Sequence, residues 1–114
     1  MRQKPLLWIG SSLRDLRAFP VEARRRAGHQ LHRVQLGLLP DDWKAVPEVG
    51  TGVYEIRVQT GAEHRIFFLA KFEEGVYVLH DFEKRSRTTS QRDISLARDR
   101  FQAVLALRRS QRIR

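Results

Sequence analysis

Hydrophobic periodicity divides the chain into short apolar runs and helical stripes. Leu6, Leu7, Trp8 and Ile9 form an apolar run ended by Gly10, which reads as a first strand. Ser12 with Asp15 three positions on has the form of a capping box, starting a short helix with Leu13 and Leu16 on one side. Pro20 suits the first turn of a second helix. There Ala23, Ala27, Leu31, Val34 and Leu38 recur at helical spacing, while Arg24, Arg25, Arg26 and Arg33 mostly take other faces. Gly37 and Pro40 end it. Positions 41–52 hold Pro47, Gly50 and Gly52 and read as a loop.

From position 53 the period changes to two. Tyr54, Ile56 and Val58 alternate with Glu55, Arg57 and Gln59, the pattern of a half-buried strand over 53–59. Gly61 marks a turn, and 65–72 is apolar on both faces, as a central strand should be. Glu73, Glu74 and Gly75 predict a tight turn before a strand over 76–82. Strict alternation places His80 with Val76, Val78 and Phe82, company that predicts a buried, hydrogen-bonded histidine. Ser90 with Asp93 opens a long helix through Ile94, Ala97, Phe101, Val104 and Leu105. Residues 108–114 lack apolar periodicity and are expected to fray as a basic tail. The order β, α, α, β, β, β, α describes a small α+β fold occupying residues 1–114 as one domain.

Charge changes this picture from a fold to a surface. The chain has 114 residues, no cysteine and a formal charge of +9. The missing thiols exclude disulfides and thiolate metal sites, and fit a reducing cytoplasm. No apolar run approaches a membrane span, and no signal peptide is expected. The cations are also unevenly placed. Residues 1–37 carry eight Lys/Arg against two Asp/Glu and residues 84–114 carry ten against two, but residues 38–83 carry four against nine. Arg57 and Arg65 are therefore cations planted in an acidic stretch. If the strands pair in order, they converge with Lys84, Arg85 and Arg87 at one end or face of the sheet. Such a cluster suits phosphates, which makes RNA the first substrate to consider.

Four segments carry a resemblance. They are Trp8 to Ser12 with Asp15 and Leu16, Gly52 to Arg57, His64 to Phe68, and Leu79 to Arg85. Their order and joint spacing resemble the RelE/ParE superfamily of toxins from bacterial toxin–antitoxin pairs, most closely its phage-derived, HigB-like branch. The resemblance implies an antiparallel sheet with two N-terminal helices on one face and a C-terminal helix nearby. It implies a ribosome-dependent endoribonuclease acting on mRNA in the cytoplasm without metal or cofactor. It further implies silencing by an antitoxin of acidic or helix-turn-helix type, with DNA contacted only through the toxin–antitoxin complex. Arg57, Arg65, Lys84 and Arg85 match the family's basic site positions. Two positions depart: the family commonly has a second lysine where Arg85 stands, and a proline near Ser90.

Metal-free RNA cleavage uses the 2′-hydroxyl as nucleophile, so a site must take its proton, stabilise the phosphorane and protonate the leaving 5′-oxygen. Arginine clamps phosphate with a fixed fork. A lysine crowded by cations gives up its proton more readily. On this reading Arg57 and Arg65 hold the scissile phosphate, Lys84 transfers protons, and Arg85 holds a flanking phosphate or the leaving group. His64, Arg87, Arg108 and Arg109 are expected to contact RNA, His64 from an exposed strand start. The competing structural reading pairs Arg57 with Glu55 or Glu63. His29 and His32 stand three apart, but lack a carboxylate at a useful offset, so no metal site is assigned. Trp8, Trp43 and Phe101 are expected in the core, with base or antitoxin stacking the alternative for Trp43. The functional rivals are a ParE-like inhibitor of DNA gyrase and a phage accessory protein that binds RNA without cutting it.

Overall fold

A computed structural model of the chain describes the backbone of residues 3–113 and side chains as far as Gln111. Strand β1 (Leu6–Trp8) leads into helices α1 (Ser12–Arg17) and α2 (Val21–Gln35). Strands β2 (Trp43–Ala45), β3 (Val53–Gln59), β4 (Glu63–Leu69) and β5 (Val76–Lys84) follow, and α3 (Gln91–Ile113) closes the chain. The strands form one sheet in the order β1-β5-β4-β3-β2. The meander β3–β4–β5 is antiparallel as its alternation predicts, β1 joins β5 in parallel, and β2 joins β3 antiparallel. Gly61, at φ +94°, supplies the left-handed residue of the β3–β4 turn.

Helices cover both faces of the sheet. Leu16, Phe19, Ala27, Leu31 and Val34 pack with Ile56, Val58, Ile66, Phe68, Val76 and Val78 on one face. Ile94, Ala97, Phe101 and Val104 of α3 pack with Val53, Phe67, Leu69, Tyr77 and Leu79 on the other. A strand apolar on both sides must be sandwiched in this way, which is why β4 sits at the centre.

Three local expectations change. The first helix is capped at Ser11, whose hydroxyl donates to Asp15 at 2.7 Å, while Ser12 is fully buried and accepts from the Ile9 N–H. Part of the expected loop 41–52 is strand: Val46 N–H donates to Val53 C=O and Arg57 N–H to Asp42 C=O, which zips β2 onto β3. The tail expected to fray from position 108 stays helical through Ile113. The Arg108 guanidinium holds it, donating to Glu74 at 2.7 Å and lying 3.5 Å over the Phe72 ring. Arg114 lies outside the described residues.

The largest departure from alternation is in β5. Phe67 of β4 is opposite His80, but its neighbour Phe68 is opposite Val78, so Leu79 is an extra residue. This β-bulge turns every later side chain of β5 to the face opposite the one alternation assigns. His80 therefore leaves the expected company of Val76 and Val78 and joins Phe67 on the α3 side, its ring 4.9 Å from that of Phe82. Arg100 of α3 secures the irregularity, donating to the Leu79 carbonyl and to Ser11 Oγ, both at 2.9 Å.

The same shift sends Asp81 to the α1 side opposite Ile66, where it is buried and neither oxygen has a hydrogen-bond partner. Burial, with the nearby Asp15 charge and against that of Arg100, pushes its carboxyl up to about 8. A carboxyl raised on folding binds its proton more tightly in the native state. Its contribution is thus fully present below the unfolded value near 4 and disappears as pH climbs through about 8. Urea unfolding from pH 4 to 9 should show stability declining with pH, and Asp81→Asn should flatten the decline and gain most at the alkaline end.

Candidate functional site

The end of the sheet near the β3–β4 turn opens onto a cleft of about 440 Å³ between β2, β3, the loop after β5 and the first turns of α3. Lys44, Arg57, Lys84, Arg87 and Arg98 line it, against the two carboxylates Glu48 and Glu55. The bulge is what delivers Lys84. Lys84 is opposite Glu63 and Phe82 opposite Arg65, while Arg65 is opposite Arg57, so all of them share the α3 face. Without the extra residue Lys84 would point to the α1 and α2 side.

Two arginines directly opposite each other repel unless something lies between them. Glu55 does this. Its buried carboxylate accepts from Arg57 Nε at 2.9 Å and lies 3.7 Å from Arg65 Nε. Arg65 is itself buried, with Nη2 donating to Glu63 at 2.7 Å and Nη1 to the His64 carbonyl at 3.2 Å. Arg65 therefore stands behind the cleft and supports it. Arg57 is a third exposed and faces the opening, with Asp42 4.0 Å away on its other side. Lys84 Nζ donates to the Arg87 carbonyl at 2.7 Å, which folds the loop back over its own strand.

The other candidate residues divide. Arg87 lines the cleft. Arg85 does not: its side chain is 81% exposed and pairs loosely with Glu83 at 3.4 Å, beside a separate depression. His64, expected exposed, is 1% exposed on the opposite face, its ring 4.3 Å from that of Phe19. It alternates with Ile66 and Phe68, which fixes its side, and burial lowers its pKa against the raising effect of Glu83. Arg108 grips Glu74 at the far end of β5, roughly 26 Å from Lys84 along a nine-residue strand. Arg109 is exposed near the end of the same helix, outside the cleft. His80 is buried and bonded as expected, to Asp93 at 2.7 Å, and desolvation lowers its pKa against the opposing pull of Asp93. Trp43, expected in the core, is 39% exposed on the edge strand.

Lys44, Glu55 and Arg98 escaped the site reading from sequence. Glu55 was legible, because two-residue alternation puts it beside Arg57. Arg98 lies one helical turn beyond the buried Ile94, which places it on the cleft flank of α3. Lys44 had no signal, since its strand is too short to show a period.

The family model described as Phage derived protein Gp49-like (DUF891) matches residues 14–102. The chain belongs to that family. It is a phage-derived, toxin-like family. The match runs from α1 into α3 and takes in every residue that lines the cleft. No curated protein matches the sequence.

In this Gp49-like protein, positive charge therefore faces solvent at the Arg57 end of an Arg–Glu–Arg row whose Glu55 and Arg65 are buried. Arg57 is the hinge of the arrangement: Glu55 holds its Nε, Asp42 lies 4.0 Å from Nη1, and the partly exposed guanidinium lines the cleft. Glu55→Gln removes the charge that Arg57 and Arg65 share, and should cost about 1–3 kcal/mol, read as a lower urea midpoint with the far-ultraviolet dichroism unchanged.

Proposed function

We propose that this Gp49-like protein is the toxin of a HigB-like toxin–antitoxin pair and acts as a ribosome-dependent endoribonuclease on mRNA. The observation that carries the proposal is the convergence of Arg57, Lys84 and Arg87 in one cleft over the buried Arg65. The outward donors of Arg57 bind the non-bridging oxygens of the scissile phosphate, and their charge counts most as negative charge builds on the phosphorane. Lys84 moves the proton at the leaving 5′-oxygen, and Arg87 holds the neighbouring phosphate. Glu55 keeps the Arg57 fork pointed into the cleft, and Arg65 keeps Glu55 in place. The 2′-oxygen attacks phosphorus as the bond to the 5′-oxygen breaks, leaving a 2′,3′-cyclic phosphate and a 5′-hydroxyl. The ribosome completes the set of acid–base groups. Arg85 has no part in this scheme.

One observation favours the rival of a binder that leaves RNA intact: Arg57 and Arg65 both spend donors on carboxylates of their own sheet. Primer extension on a defined message in a purified translation system separates the two. Cuts within translated codons should appear with wild type, fall at least ~100-fold with Arg57→Ala or Lys84→Ala, and persist with Arg109→Ala. An intact message with stalled translation would support the binder, and an intact message with normal translation would turn attention to gyrase. Arg65→Ala is a poor first choice, because it opens a buried ion pair and confounds chemistry with folding.

A further inference from the structure

Arg57 also lines a second cavity, of about 510 Å³, on the α2 side of the sheet end. One stripe of α2 forms a wall, because Glu22, Arg25, Arg26 and His29 recur at helical spacing. The chain entering β2 and the last residues of β3 form the rest. Its frame is already bonded. Arg26 donates from Nη1 to the Gln59 carbonyl at 2.9 Å, and Gln30 and Asp41 exchange two hydrogen bonds at 2.7 and 2.8 Å. Those bonds hold α2 to the end of β3 and to the segment before β2.

The groups left over are different in kind. Arg25 meets Glu22 at 3.9 Å and the Asp42 carboxylate meets Arg57 Nη1 at 4.0 Å, both too long for hydrogen bonds. His29 lies one turn beyond Arg25 and is exposed. The cavity thus offers a carboxylate acceptor next to Arg57, and a guanidinium and an imidazole on the α2 wall. Charge separates it from the cleft. The cleft sets five cations against two carboxylates, whereas here Arg25, Arg26 and Arg57 face Glu22, Asp41 and Asp42. A phosphate gains more in the cleft, and a neutral polar group fits better beyond Arg57. The volume suits a small ligand, for which cavities run about 300–1,000 Å³.

We propose that this cavity is a ribonucleoside subsite, receiving the sugar and base attached to the phosphate held at Arg57. Asp42 accepts a hydrogen bond from the ribose 2′-hydroxyl, which DNA lacks, and the base stacks on the His29 ring and the Arg25 guanidinium. The order follows from the covalent chain of a nucleotide. The sugar is bonded directly to the phosphate, so its acceptor must stand beside Arg57, as Asp42 does. The base comes next and needs flat faces rather than net charge. Arg57 therefore stands where two unlike sites meet, with phosphates on its cleft side and a nucleoside on its α2 side. The inference rests on RNA as the ligand of the cleft and goes beyond cleavage, because it assigns how RNA is told from DNA.

The test is amide NMR of the full chain titrated with adenosine 3′,5′-bisphosphate, which carries a phosphate on either side of the sugar, and with its 2′-deoxy analogue. The ribose form should shift the backbone amides of His29, Asp42 and Arg57, and bind at least ~10-fold more tightly than the deoxy form. Asp42→Ala should bring the two affinities together. It leaves the bond from Arg57 N–H to the carbonyl of residue 42 in place, since any residue supplies that carbonyl. His29→Ala should weaken both ligands and His29→Phe should restore them, because stacking needs a ring and no charge. Inorganic phosphate should shift Arg57 and leave His29 unmoved. A silent His29, equal affinity for the two sugars, or a ribose preference that survives Asp42→Ala would each overturn the proposal. None of these readouts needs cleavage. A message cut by a protein whose His29 stays silent sinks the subsite alone, and a ribose preference lost with Asp42 upholds it even where the message stays intact.

Discussion

A sheet buried on both faces gives every side chain only two possible destinations, and strand alternation decides between them. In this protein the single extra residue at Leu79 resets that choice for the second half of β5. His80, Phe82 and Lys84 go to the α3 side, and Asp81 goes to the α1 side. The packing of α3, the burial of Asp81 and the membership of the cleft all follow from this one irregularity. Arg100, which satisfies the bulge carbonyl and reaches Ser11, ties the layers on either side of the sheet to the same point. The close approach is visible at Gly10, where a Cβ would lie 2.7 Å from Arg100 Nε.

The electrostatics of the cleft follow from the register in the same way. Pairing β3 with β4 sets Arg57 opposite Arg65, a repulsive placement that only an intervening anion makes tolerable. Glu55 provides it from two positions upstream on the same face. The result is a row of alternating charges, buried at the Arg65 end and exposed at the Arg57 end. The buried end resists change because removing any one member strands the others without a partner.

Much of the fold was legible in the sequence, because β3 shows a clean period of two, α2 and α3 a period of 3.6, and β4 an unbroken apolar run. The elements that were not legible fail for physical reasons. β2 is three residues long and lies among Pro40, Pro47 and Gly50, so neither period can develop. The helical end of α3 depends on Arg108 finding Glu74 and Phe72, contacts between positions over thirty residues apart. The bulge is invisible in composition, and it reverses the face assigned to His80. Of the site, Arg57 was found because a cation in an acidic stretch stands out, and Lys84 and Arg87 because they directly follow the third strand of the meander. His64 and Arg108 were misplaced because strand register and the far end of a helix are tertiary facts.

Asp93 joins three parts of the chain at once. Its N–H donates to the Ser90 hydroxyl oxygen, and its two carboxylate oxygens take the Ser90 hydroxyl and the His80 ring. At the other end of the same loop Lys84 closes onto the Arg87 carbonyl. The segment carrying Arg87, Thr88 and Thr89 is thus tethered at both ends within a few residues. Few backbone conformations remain to be lost when a ligand arrives, so the entropy of ordering this loop has largely been spent during folding. That makes the cleft stiffer than a loop-built surface usually is, and leaves the side-chain tips as its main adjustable parts.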